Sequence, residues 1–322
     1  LNQEKIKYIL GILLQRNDIN HRILFKAFHK LYNYELKKFW DKEDSELINH
    51  DLFRNIIEDK LFLNAMNKII FKDIKLEMIL TKVRRHLSYL ISEDKKLHDE
   101  SIINFIYYIA QQCFMNEYIY YMNEIDSKSI NTIIERCKKG TISDIDIGIL
   151  ACYFPLYKLL GEIENLKSIS TSNKNLKAII KLQIKEPLEE IFLSKNIMKI
   201  GSINNKISKK VKSQYENNPY PRWRYLEDYK ELKYSAIQAI NSEIKPNIVQ
   251  SNLTSNKLKV LIAGCGTGAQ ILCATKYKNS EITAIDLSSS SLSYAQRQLN
   301  ELEISNLSLI QMDLLDVDLL GK

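Results

Sequence analysis

The feature that most limits the folds open to this chain lies near its end. An apolar run, Leu258 to Ala263, meets the turn Gly264-Cys265-Gly266-Thr267-Gly268, and Asp286 follows 22 residues after Gly264. A strand apolar throughout apart from Lys259 is expected in the middle of a parallel sheet, buried on both faces. A glycine turn directly after it lets the backbone take positive φ and approach a ligand that a side chain would exclude. The spacing predicts a helix from Ala269 to about Tyr277 and a second strand from Glu281 to Ile285, ending at Asp286. Ser288 to Ser290 then offer an N-cap for a helix reaching Leu302, and a third strand runs from Leu307 to Gln311. Strand, helix, strand, helix, strand is the doubly wound α/β pattern.

Upstream the pattern changes. From Leu1 to about Met198 the apolar residues recur at helical spacing, as in Ile6, Ile9, Leu10 and Leu13, and Gly and Pro are scarce. Polar clusters at Asp41 to Ser45, Ser92 to Asp99, Gly140 to Ser143 and Ser168 to Asn175 predict breaks, giving five to eight helices without a clear internal repeat. The organisation expected is therefore an all-helical domain over 1–200, a basic and aromatic, proline-rich connector or lid over 201–256, and the N-terminal half of an α/β domain over 257–322.

Composition excludes several classes. With 45% hydrophobic and 26% charged residues over 322 positions, the chain can bury two cores. The net charge of +7 comes largely from lysine. Five scattered cysteines (Cys113, Cys137, Cys152, Cys265, Cys273), with no CxxC pair, predict a reduced, metal-free cytoplasmic protein. The uncharged stretch from Ser101 to Asn116 is interrupted by Asn104, Gln111 and Gln112, and reads as a buried core helix rather than a membrane span. The first residues show no basic n-region followed by a cleavable apolar stretch, so secretion is not expected. Both ends are expected to be cut: the chain begins at Leu1 rather than Met, and Lys322 follows a third strand with nothing after it to cover the sheet. Such a fragment is expected to be inactive and to bind its cofactor weakly.

The chemistry concentrates in the turn and the strand ends. Gly264, Gly266 and Gly268 would bring backbone N–H groups to a ligand, and Asp286 can accept both hydroxyls of an adenosine ribose. Asp313 is placed to accept the exocyclic amine of adenine. Taken singly, each has a plainer reading, since glycine turns are common and an Asp at a strand end is often a helix cap. The turn with Ala269 after it also satisfies the loose dinucleotide fingerprint, so an NAD-dependent oxidoreductase is the competing reading. A helical scaffold with a non-catalytic α/β half is another. A P-loop is excluded, because no Lys-Ser or Lys-Thr follows the glycines.

No acidic residue lies between Glu190 and Glu216, where Lys195, Lys199, Lys206, Lys209, Lys210 and Lys212 accumulate. The segment Tyr215 to Trp223 comes next. Its Tyr215, Asn218, Tyr220, Arg222 and Trp223 are candidates for a lid or acceptor pocket, or for an aromatic anchor between domains. Nucleic-acid binding is the less favoured use, since no named module is matched. The five histidines all lie in the helical region, away from the glycine turn.

Val260 to Gly268, with Ile285-Asp286-Leu287-Ser288 and Gln311-Met312-Asp313, resembles the glycine motif and the second- and third-strand motifs of class I S-adenosylmethionine-dependent methyltransferases. The segments Ala110 to Tyr118, Ala151 to Leu156, Glu186 to Glu190 and Tyr215 to Trp223 are similar to those of a bacterial subgroup that carries tetratricopeptide repeats ahead of the methyltransferase domain. The resemblance implies a Rossmann-like domain and S-adenosyl-L-methionine as cofactor, held by Gly264, Cys265, Gly266, Gly268, Asp286, Leu287, Met312 and Asp313. Catalytic residues cannot be carried over, because the acceptor-facing motif of the family would lie after Lys322. The acceptor is left open, a small molecule or protein being favoured, with a protein partner expected for the helical region.

Overall fold

The computed structural model describes residues 2–140, 142–217, 219–225, 233–250 and 258–321. The chain divides into two compact units, Leu1–Pro187 and Leu188–Lys322, so the second begins ahead of the expected boundary at 200 and takes in the connector.

The first unit is all helical. It holds α1 (Gln3–Gln15), α2 (Phe25–Leu36), α3 (Asp44–Ile48), α4 (Asp51–Glu58), α5 (Lys60–Lys68), α6 (Ile74–Ser92), α7 (Glu100–Met115), α8 (Glu124–Lys138), α9 (Asp144–Ala151) and α10 (Lys174–Ile180). These ten exceed the five to eight expected. Apolar spacing carries on across breaks that single capping side chains create, as where Asp59 and Asp73 accept the first N–H groups of α5 and α6. Reciprocal capping boxes start α8 (Asn123 with Asp126) and α9 (Ser143 with Asp146). The stretch expected to be a core helix is α7, which buries ten of its residues and packs against α5, α9 and α10. No helix among the described residues is long and apolar enough to cross a membrane.

Polar side chains fix this core as much as apolar ones do. The Gln112 amide donates to the carbonyls of Met66 and Ile69, and its oxygen accepts the Phe71 N–H. Gln183 does the same for Ala110, Ala151 and Leu156. Two of the segments singled out in the sequence, Ala110 to Tyr118 and Ala151 to Leu156, are thus joined through buried amides that satisfy backbone groups outside regular ladders. Asp126, fully buried, accepts from Arg85 Nε at 3.1 Å and from the Tyr153 hydroxyl, linking α6, α8 and the turn after α9.

The second unit is a parallel α/β sheet. Its helices are α11 (Glu186–Ser194), α12 (Lys206–Asn217), α13 (Ala236–Glu243), α14 (Ala269–Ala274) and α15 (Ser289–Glu301), and its strands are β1 (Met198–Lys199), β2 (Leu258–Ala263), β3 (Ser280–Asp286) and β4 (Leu307–Gln311). The order is β1-β4-β3-β2, all parallel. The three expected strands are present, and a fourth, β1, lies at the end of the stretch expected to be all helical, where two residues carry too little periodicity to mark a strand.

On one face Ile262, Ile282, Ala284 and Leu309 pack with Ile271, Leu272, Leu292, Ala295 and Leu299 of α14 and α15. On the other, Ile285, Ile310 and Met312 meet Ile200, Val317 and Leu320. β2 lies at a sheet edge among the described residues, and Leu261 is 47% exposed where the apolar pattern predicts burial on both faces. The polar run Ser251 to Lys257 lies outside the described residues.

All five cysteines are free thiols, four buried and Cys273 exposed. Burial pushes the Cys113 thiol up to about 11 and that of Cys137 up to about 12. Mild alkylation of the native protein is expected to label Cys273 ahead of the other four, read by peptide mass spectrometry. Equal labelling of Cys113 would contradict this packing.

Candidate functional site

β2 ends in three glycines with positive φ, Gly264 (69°), Gly266 (52°) and Gly268 (88°), a backbone path that side chains disfavour. They differ in what they face. A Cβ added at Gly264 or Gly266 would meet nothing within 4 Å, whereas one at Gly268 would lie 2.7 Å from Ala295 Cβ. Gly264 and Gly266 therefore border open space at the C-terminal edge of the sheet, and Gly268 lets α15 pack closely on the turn. Cys265 turns its thiol into the core, where burial raises it to about 12. Its N–H donates to the Ile285 carbonyl and registers the turn against β3.

Asp286 ends β3 beside this turn. One carboxylate oxygen accepts the Gly266 N–H at 2.8 Å and the other the Ser288 N–H at 2.9 Å. Burial raises its pKa, and the backbone hydrogen bonds only partly offset that. Leu287 is half-buried, its carbonyl held by the Gln311 side chain at 2.8 Å. Met312 is buried, and its N–H donates to the Asp286 carbonyl. Asp313 accepts the Leu315 N–H at 3.1 Å and caps the turn that follows β4. The plainer reading of an Asp at a strand end thus describes the hydrogen bond of Asp313 to Leu315, while Asp286 faces the glycine turn.

The aromatic segment splits in two. Trp223 is buried, and its indole N–H donates to the Thr267 carbonyl within the glycine turn at 2.7 Å. Thr267 Oγ1 donates in return to the Pro221 carbonyl at 2.6 Å, and the Tyr294 hydroxyl donates to the Trp223 carbonyl. Arg222 pairs with Glu190 and lies over the Tyr294 ring. Trp223 and Arg222 thus anchor the segment to the turn and to α15. Tyr215 and Tyr220 keep their rings exposed, and Asn218 lies outside the described residues. Replacing Trp223 by Phe keeps the ring and removes the indole donor. The Thr267 carbonyl then lacks its partner, and a stability loss of about 1 kcal/mol is expected in denaturant unfolding.

Three residues at this site escaped the sequence reading: Glu216, Thr267 and Gln311. Glu216 had a signal, as the acid that ends the acid-free stretch. Its carboxylate accepts the Ser289 N–H (3.0 Å) and the Ser290 N–H (2.8 Å) at the start of α15. Burial opposes its ionisation, but hydrogen bonds from Ser290 and Ser289 prevail and hold it below the usual carboxylate range. The other two gave no signal, because their roles depend on contacts across the fold.

This end of the sheet therefore presents open backbone at Gly264 and Gly266 with two carboxylates, Asp286 and Glu216, close by. Such a site suits ribose hydroxyls and a cationic ligand better than a phosphate. A search of curated proteins finds no match to the chain. A family model described as a methyltransferase domain matches residues 260–322. The stretch matched runs from within β2 to the end of the chain and includes Gly264, Gly266, Asp286 and Asp313. Residues 260–322 are thus similar to a methyltransferase domain, on a small parallel sheet consistent with a partial Rossmann-like fold.

Proposed function

We propose that the α/β unit binds S-adenosyl-L-methionine and belongs to a methyltransferase acting on a small-molecule or protein acceptor, of the subgroup its upstream segments resemble. The observation that carries this reading is the placement of Asp286, beside the open backbone of Gly264 and Gly266 and joined to Gly266 by a hydrogen bond. These residues fit the cofactor. Gly264 and Gly266 leave the room a Cβ would fill, and Asp286 offers acceptors for vicinal hydroxyls once its amide partners share it.

When bound, S-adenosylmethionine would supply a sulfonium methyl whose carbon an acceptor atom can attack in line, the thioether sulfur leaving with the electrons of the broken C–S bond. The chain's own residues bind and orient. Asp286 would hold the ribose hydroxyls, Leu287 would stand beside them on the next residue of the chain, and the anchored Trp223–Thr267 pair holds the glycine turn in shape. Positioning of this kind accounts for much of the acceleration available to a bimolecular displacement. No nucleophilic enzyme side chain is required for such a displacement.

Calorimetry on the full-length protein with S-adenosylmethionine and with NAD tests the reading. Saturable binding of the sulfonium compound in preference to NAD supports it. Preference for NAD would replace it with an oxidoreductase, and binding of neither with a scaffold.

A further inference from the structure

The Glu216 carboxylate does more than tie α12 down. α15 is 13 residues long, and its first free amides would otherwise form an anion-binding site directly after the Asp286 strand end. In this protein that place is filled from within the chain. Glu216 accepts the amides of Ser289 and Ser290 and the hydroxyls of Ser289 (3.0 Å) and Ser288 (3.4 Å), with the Gln311 amide at 3.5 Å. Lys212, one turn earlier on α12, stands 4.0 Å away.

We propose that Glu216 determines ribose specificity at the nucleoside site: its carboxylate stands where a ribose phosphate would be neutralised, so the site admits adenosine with free hydroxyls and rejects a 2′-phosphorylated one. The inference rests on the cofactor reading above and deepens it. A ribose held by Asp286 lies beside the start of α15. A phosphate on that ribose would meet two carboxylates, and the amides and hydroxyls suited to it are already committed. Removing the Glu216 charge reverses both conditions. The repulsion falls by one carboxylate, and the Ser289 and Ser290 amides and the Lys212 ammonium are released toward the anion. Glu216 is a specificity residue here, with no part in the transfer step.

The test is competition on the full-length protein, in which adenosine and adenosine 2′-monophosphate displace S-adenosylmethionine from wild type, Glu216→Gln and Glu216→Ala. Wild type is expected to favour adenosine by roughly a hundredfold or more, as two like charges a few ångströms off at intermediate dielectric would impose. Glu216→Gln, which keeps size and one acceptor oxygen while removing the charge and freeing one of the two amides, should cut that preference about tenfold, and Glu216→Ala further. Circular dichroism and melting temperature report whether each variant folds, and the Gln variant carries the test if the Ala variant does not. A preference within twofold of wild type in the folded variants overturns the proposal while leaving the cofactor reading intact, provided binding still depends on Asp286. If wild type binds neither S-adenosylmethionine nor adenosine, or Asp286→Ala binds them unchanged, the cofactor reading fails and the proposal with it.

Discussion

Asp286→Ala is expected to weaken S-adenosylmethionine binding by roughly two to four orders of magnitude, measured by calorimetry on the full-length protein. Hydrogen bonds to a charged group contribute about 1.5–3 kcal/mol each, so loss of two ribose contacts amounts to roughly 3–6 kcal/mol. The variant has a second effect in the same direction. Asp286 also accepts the Gly266 N–H at 2.8 Å, so the alanine variant frees the glycine turn that has to be ordered when ligand binds. Asp286→Asn separates the two. It keeps one acceptor for Gly266 and removes the charge, and an intermediate affinity is expected. Unchanged affinity in the alanine variant would remove Asp286 from the site.

Glu190→Ala is expected to destabilise the α/β unit strongly, by about 3–5 kcal/mol in urea unfolding. Glu190 on α11 takes Arg297 Nε at 2.9 Å and Arg222 at 3.5 Å. Arg297 is 2% exposed. Without Glu190 its guanidinium loses the carboxylate at 2.9 Å, while Glu301, at 3.5 Å, is nearly half exposed, so a buried cation is less well compensated. Arg222 loses its contact with Glu190 at the same time, which weakens the hold on the segment that carries Trp223. A Glu190→Gln variant, which retains acceptor geometry without charge, should recover part of the loss. A change below about 1 kcal/mol in the alanine variant would show that the pair contributes no more than an exposed one.

Much of the α/β half was legible because local signals and burial agree there. An apolar run, a glycine turn, an acid at the expected spacing and a Ser N-cap each demand the same local geometry, and β2, β3, β4 and α15 lie where they were expected. The helical half was legible in kind and less so in number. Helical spacing survives a one-residue cap, so α4 and α5, parted only by Asp59, read as one segment. α14 stops at Ala274, short of the expected Tyr277, and periodicity does not mark that end.

The division of roles within the site was not legible. Glycine content alone cannot separate Gly264 and Gly266, which border open space, from Gly268, which admits α15. Nor can an aromatic, proline-rich stretch show which of its rings are buried. Trp223 goes inward because Thr267 offers its carbonyl and Tyr294 and Gln298 bind the Trp223 carbonyl, residues more than 40 positions away in sequence. The sequence by itself determined the order of elements and the residue types at the strand ends, since backbone conformation at glycine, capping and strand propensity act over a few neighbouring residues. Only the tertiary structure decided that β1 joins the sheet and that Glu216 meets the start of α15. Those outcomes depend on hydrogen bonds and burial between segments far apart in the chain, where local preference has no reach.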